Sequence, residues 1–274
     1  MIYLDILIRR ALEEDIRQGD ITSLYLIDDE AQAKANIIAK EDFILSGSSA
    51  TARVFELIDH TLSITQNLPD GATTNTGDNI MTVEGRLRSI LAAERVALNF
   101  LQHLSAIATV TSKFVKIAKE YDVQIVDTRK TIPNLRFLEK EAVVAGGGFN
   151  HRMGLFDRIL IKDNHVKYCG SVTKAVNIAK EKNMDGILVE VETKNLDEVQ
   201  EAVETGADII MFDNMSIPMI KEAIKLVDGR AKTEVSGGIT LETIAEYAAA
   251  RPDYVSVGAL THSAKAVDIS LLIE

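Results

Sequence analysis

Four fixed cations fall close together in the chain: Arg129 and Lys130 in DTRKT, Arg152 in GGGFNHRMG and Lys162 in LIKDNH. Arginine meets carboxylates and phosphates with a two-pronged fork and lysine meets them with a point charge. The set therefore suits a ligand carrying several negative charges. Further on, Glu192 and Asp213 offer carboxylates suited to ribose hydroxyls or to Mg²⁺, a hard cation that prefers oxygen. SGGIT at 236–240 and VGAL at 257–260 are glycine turns entering helices, where backbone N–H groups can hold a phosphate. Together these residues imply an anionic ring or acid, a phosphorylated sugar and a divalent metal.

Apart from Arg152, each of these groups follows or ends a short apolar run. The runs are VQIVD (123–127), RILI (158–161), ILVEV (187–191), DIIMF (208–212), KTEV (232–235) and YVSVG (254–258). Between them, apolar residues recur at helical spacing, as in Leu135, Leu138 and Ala142, or Val172, Ala175 and Ala179. Leu196, Val199 and Val203, and then Ile217, Ile220 and Ile224, repeat the pattern. Apolar strands alternating with helices predict a parallel sheet with right-handed crossovers, and ligands bind such sheets beyond the carboxyl ends of the strands. One rim then collects Asp127, Arg129, Lys130, Lys162, Asp163, Glu192, Asp213, Asn214, Ser236, Gly237, Gly238 and Gly258. The roughly 160 residues after position 105 fall short of the ~200 or more of a full eight-stranded barrel, which predicts a shortened one.

The first part of the chain reads differently. Helices are predicted near 4–16 and 48–59, and strands at AKANIIAK, TLSITQN and NIMTVEG, with a turn at Pro69-Asp70-Gly71. A long helix from Arg88 to Glu120 joins this layer to the second half. The reading divides the chain into an N-terminal domain, 1–104, and a barrel, 105–265, with the tail 266–274 returning to the first.

Composition narrows the partners. The net charge of −11 argues against a nucleic-acid or anionic-membrane surface, because phosphate backbones are bound by excess Lys and Arg. The window from Asp127 to Lys167 is the exception, with eight basic residues against five acidic ones. Cys169 is the only cysteine, so no intrachain disulfide is expected, consistent with a reducing cytoplasm. MIYLDILIRRALEED reads as an amphipathic helix and not as a signal peptide.

DTRKT (127–131), LEKEAVVAGGGFNHRMGLFDRILIKDNH (138–165), EVET (190–193), MFDNM (211–215), EVSGGIT (234–240) and VSVGALTHS (255–263) closely resemble the quinolinate phosphoribosyltransferase family. EDIRQGDITS (14–23) and ERVALNFLQHLS (94–105) match its N-terminal half, so the resemblance runs over nearly the whole chain in order. It implies an N-terminal α+β sandwich followed by an incomplete, about seven-stranded parallel α/β barrel. It implies transfer of phosphoribosyl from phosphoribosyl pyrophosphate to quinolinate with decarboxylation, requiring Mg²⁺. It also implies a homodimer, or a hexamer built of dimers. By motif, Arg129, Lys130, His151, Arg152 and Lys162 surround the quinolinate carboxylates and nearby phosphate, and Arg95 reaches in from the partner subunit. Glu192 and Asp213 take the ribose and metal side, directly or through water or substrate. Ser236, Gly237, Gly238 and Gly258 cradle the 5′-phosphate, with His262 at the rim.

Plainer readings stand beside these. Lys162 could end a strand and pair with Asp163, or form a Schiff base. His151, His165 and Asp163 could suggest a transition-metal site, although hydrogen bonding suits them better. Gly146 to Gly148 suit a helix C-terminus, and Asp15, Asp20 and Thr22 suit capping after the first helix. Arg95 could pair with an acid on its own helix. The competing functions are a paralogous phosphoribosyltransferase with another anionic acceptor and a non-catalytic metabolite-binding barrel.

Overall fold

The computed structural model describes residues 2–274. The chain divides into two compact units, one comprising the residues up to Val110 with Pro133–Gly147 and Ser263–Glu274, the other Thr111–Ile132 with Gly148–His262.

The first unit opens with α1 (Ile2–Asp15) and α2 (Ile21–Leu26). Asp20 caps α2 by accepting the N–H groups of Thr22 and Ser23, two of the donors a helix start leaves without partners. β1 (Gln32–Ala39), β2 (Phe43–Ile44), α3 (Ser48–Ile58), β3 (Ser63–Gln66), β4 (Thr73–Thr74) and β5 (Asn79–Arg86) follow. β1 places Ala35, Ile37 and Ala39 on one buried face, the period-two pattern of a half-covered strand. It pairs antiparallel with β5, with Ile37 opposite Met81, and β5 pairs with β3. Ile8 of α1 and Phe55 of α3 join Ile37, Ile80 and Met81 in the core, each contributing about 1.5–3 kcal/mol by burial. α4 (Leu87–Ala118) leaves β5 directly and carries the chain from the first unit into the second.

The second unit starts its sheet with β6 (Gln124–Val126). The chain then makes α5 (Arg136–Ala145), which belongs to the first unit, a grouping that the linear division at residue 105 does not contain. α5 ends at Gly146, and Gly147 turns the chain at φ +86, a conformation that favours glycine. Six elements follow: β7 (Ile159–Ile161), α6 (Asp163–Cys169), α7 (Val172–Lys182), β8 (Val189–Thr193), α8 (Leu196–Glu204) and β9 (Ile209–Asp213). α9 (Ile217–Val227), β10 (Lys232–Ser236), α10 (Ile244–Ala248), β11 (Tyr254–Ser256) and α11 (Ala259–His262) complete this unit. β12 (Ile269–Ile273) returns to the first unit, antiparallel to β1.

The six strands lie in the order β6-β11-β10-β9-β8-β7, all pairs parallel. A single parallel bridge, Val126 to Phe149, adds a seventh strand position beside β6. Among the described residues no ladder joins Phe149 to β7, so the barrel is incomplete, as expected. Helix faces shifted slightly from the predicted spacing: α9 buries Ile220, Ala223 and Val227, leaving Ile217 and Ile224 half-buried. Alanine counts toward a buried stripe as leucine or isoleucine does, and the apolar spacing passed over Ala223.

Candidate active site

Within each parallel strand, alternate side chains share a face. Leu160 leads to Lys162, Glu190 to Glu192, Met211 to Asp213, and Glu234 to Ser236. The ladders place Glu192 beside Met211, Ser236 beside Asp213, and Ser236 beside Ser256. These ends line a cavity of about 250 Å³ together with Thr128, Arg129, Lys130, His151 and Arg152.

The wall near β6 and β7 is cationic. Arg152 is buried, and its pKa is held below the ordinary guanidinium value first by loss of solvent and then by the charge of Arg129. Glu190, Asp157 and Glu192 pull in the other direction without cancelling these effects. A bound anion would relieve that unfavourable positive charge, so the geometry favours one. Across the cavity Lys162 pairs with Glu192, a buffered arrangement in which each charge offsets the other. Among the described residues, Asp213 makes no side-chain hydrogen bond or ion pair that would occupy its carboxylate.

His151 is buried, and both its ring nitrogens are engaged. Nδ1 accepts the backbone N–H of Arg152 at 2.8 Å, so in the neutral ring the proton sits on Nε2. Nε2 lies 3.0 and 3.2 Å from the two oxygens of Glu190 and 3.6 Å from Glu234 Oε2. The backbone N–H of His151 in turn donates to the buried Asp127 at 2.9 Å. Arg158 donates to Glu190 Oε2 at 3.1 Å, neutralising a carboxylate that has no exposed surface. Two buried carboxyls and a buried imidazole thus form a set beside the cationic wall, joined by the half-buried guanidinium of Arg158.

The opposite rim is built from glycine. Gly237 and Gly238 adopt φ +110 and +61 after β10. A Cβ on Gly237 would stand 3.0 Å from the backbone nitrogen of Asn214. One on Gly258 would stand 2.9 Å from Lys130 Cδ and 3.3 Å from His262, which puts these two side chains against the bare turn.

Family models for the N-terminal and C-terminal domains of "Quinolinate phosphoribosyl transferase" match residues 20–105 and 107–272. The chain belongs to this family. A probable nicotinate-nucleotide pyrophosphorylase [carboxylating] of Bacillus subtilis is 41% identical to it over 258 residues, covering 94% of this chain and 89% of the relative. The solved nicotinate-nucleotide pyrophosphorylase of Francisella tularensis superposes with a TM-score of 0.96 at 42% identity, covering 99% of this chain and 96% of that one. The human nicotinic acid phosphoribosyltransferase shares the fold at a TM-score of 0.65 and 10% identity, over 92% of this chain and 72% of that one.

In this member of the family, Arg129, Lys130, His151, Arg152, Lys162, Glu192, Asp213 and Ser236 all line the one cavity. Gly237 and Gly238 continue from Ser236, and Gly258 and His262 adjoin Lys130. Arg95 stands apart. It lies on α4 in the first unit, its side chain 59% exposed and 3.9 Å from Glu94, and it does not line the cavity. Lys162 pairs with Glu192 and not with Asp163, which is bound by Lys194 at 3.1 Å. His165 accepts the backbone N–H of Lys162 at 2.9 Å and so fastens the start of α6, a helix the sequence pattern did not disclose. Sequence reasoning also assigned nothing to Glu190 and Glu234. The signal was present, since a glutamate inside an apolar strand, two residues before a rim residue, must share its inward face.

Proposed function

We propose that this chain transfers the phosphoribosyl group of phosphoribosyl pyrophosphate to quinolinate with decarboxylation, giving nicotinate mononucleotide, CO₂ and pyrophosphate, a step of NAD biosynthesis. The observation that carries the reading is the convergence of Arg129, Lys130, Arg152 and Lys162 on one cavity in a chain of this family. A dicarboxylate acceptor and a polyphosphate donor are both multiply charged anions, and they need such a wall.

Arg129, Arg152 and Lys130 hold the acceptor carboxylates, and His151 fixes Arg152 through its backbone. Ser236, Gly237, Gly238 and Gly258 offer unhindered backbone to the 5′-phosphate, with His262 beside them. Glu192 and Asp213 face the ribose. They also fit Mg²⁺, which would be held by the hard carboxylate oxygens of Asp213 and Glu192, directly or through water or substrate. Bound there, the ion would offset charge on the departing pyrophosphate.

The pyridine nitrogen attacks the anomeric carbon as pyrophosphate leaves, and Lys130 and Lys162 meet the growing negative charge. The quaternised nitrogen then stabilises the electron pair left when the adjacent carboxyl departs as CO₂. Neither bond change needs a general base, which fits a cavity of clamps without a nucleophile and its partner. Holding both substrates in line contributes up to about 7–11 kcal/mol.

The working form is a homodimer or a hexamer of dimers, with Arg95 from one copy completing the other's site. Its exposed guanidinium, held only by a distant neighbour on its own helix, supports that role. A single cysteine supports a cytoplasmic setting, and among the described residues no helix is long and apolar enough to cross a membrane. Calorimetric titration with quinolinate and with nicotinate tests the acceptor. Quinolinate binding that is lost in Arg152→Met supports the reading, and equal binding of both acids favours a paralogous acceptor.

A further inference from the structure

Decarboxylation leaves an electron pair on a ring carbon, and the product carries a proton there. The cavity wall of Arg129, Lys130, Arg152 and Lys162 is suited to holding anions. Glu234 has the opposite character. It lines the cavity, its residue is 1% exposed, and its Oε1 accepts no hydrogen bond. Lying two residues before Ser236 on β10, it sits about 6–7 Å deeper than the rim, at the cavity floor.

We propose that Glu234 is the acid that protonates the ring carbon once CO₂ has left. The inference rests on the reaction proposed above. In the step, the bond from ring carbon to carboxyl breaks and its electron pair stays on the ring beside the quaternised nitrogen. The Glu234 O–H proton then passes to that carbon, leaving a carboxylate that water reprotonates after product departs.

The surroundings keep the proton in place. Glu190 faces Glu234 from β8, His151 from the segment after α5 and Arg158 from the entry to β7; Ser256 on β11 presents a hydroxyl. Arg158 already neutralises Glu190, and the His151 Nε2–H is directed at Glu190 more closely than at Glu234. A second full negative charge on Glu234 would therefore be poorly compensated at so buried a position. Burial, and then the charge of Glu190, push its carboxyl up to about 7, against the pull of His151 and Arg158. A neutral carboxylic acid can also sit beneath an anionic substrate without repelling it.

The same three side chains, His151, Glu190 and Glu234, have ligand atoms within 4.8 Å of one another, so a metal is the rival occupant. The test compares wild type with Glu234→Gln and Glu234→Asp, measuring nicotinate mononucleotide formation from quinolinate, calorimetric quinolinate binding and metal content. We expect Glu234→Gln to lower kcat about 100-fold or more, the scale of a lost general acid, while quinolinate affinity stays within about threefold. Glu234→Asp should recover part of the rate. In wild type, kcat with quinolinate should fall as pH rises through neutrality, because the protonated form is the active one in the loaded enzyme, and Gln should remove that limb.

A Gln variant with wild-type kcat would overturn the proposal. So would one that loses quinolinate binding together with turnover, which would make Glu234 structural. A stoichiometric transition metal in wild type, absent from Glu234→Gln, would assign the cluster to a metal instead. Should Gln fail to fold, a wild-type profile that stays flat above neutral pH rejects the idea without it. Wild type that forms no product from quinolinate defeats the underlying reading, an outcome separate from every result on Glu234.

Discussion

Two adjacent glycines give a test in which the structure assigns unequal costs to the same substitution. Gly238 has φ +61, and an added Cβ meets nothing within 4 Å. Gly238→Ala should therefore cost only the left-handed backbone, about 1–2 kcal/mol. Gly237 has φ +110, outside that basin, and its Cβ would stand 2.6 Å from Asn214 Cγ and 3.0 Å from Asn214 N. The side chain of Asn214 could turn aside. Its backbone nitrogen cannot, because it donates to Ser236 O at 2.9 Å and so continues the β9–β10 ladder. Strain of about 1–3 kcal/mol and overpacking of about 1–3 kcal/mol together give about 2–6 kcal/mol for Gly237→Ala. Against a whole-domain stability of about 5–15 kcal/mol that is a large loss. Urea unfolding of both variants, with KM for phosphoribosyl pyrophosphate measured on each, checks it. Gly237→Ala should shift the midpoint at least twice as far as Gly238→Ala and raise that KM, since Asp213 and Ser236 flank the disturbed ladder. Equal shifts for the two would refute the packing argument.

Gly258→Ala should behave otherwise: its Cβ meets the movable side chains of Lys130 and His262, so stability should hold while turnover drops, which paired melting and rate measurements would show. Arg158→Met leaves Glu190 charged, without exposed surface and without its cation, and should lower unfolding free energy by about 3–5 kcal/mol in chemical denaturation. Asp20→Ala removes the α2 cap and should cost about 1 kcal/mol at neutral pH. The Ser23 hydroxyl, then the Ser23 and Thr22 amides, hold the Asp20 carboxyl below 3.8, so the stabilisation is present above that value. It is lost as pH falls through the lower folded-state pKa, and melting curves of variant and wild type should converge there.

The second half of the chain was legible because strand period, helix period and rim residues all pointed to the same architecture. Each of the six apolar runs became a strand within a few residues of its expected place, and eight of the expected polar residues line one cavity. Other features resisted for physical reasons. α5 follows β6 in the chain, yet its packing belongs to the first unit, and local spacing carries no information about which core a helix face meets. α6 has no buried residue and hence no periodic stripe; a histidine hydrogen bond starts it. Glu190 and Glu234 were hidden within strands read as apolar runs, although their alternation with Glu192 and Ser236 encoded the inward face. Arg95 rests on motif alone, since its nearest ionic neighbour is Glu94 of its own helix, at 3.9 Å.

The most direct test is turnover itself: nicotinate mononucleotide formation from quinolinate with Mg²⁺ and phosphoribosyl pyrophosphate, run beside nicotinate, for wild type, Lys130→Ala and Lys162→Ala. The expected result is product from quinolinate and none from nicotinate, with the rate falling in both variants. No product from quinolinate in a folded preparation, or product from nicotinate instead, would contradict the account and require a different anion for the cationic cavity.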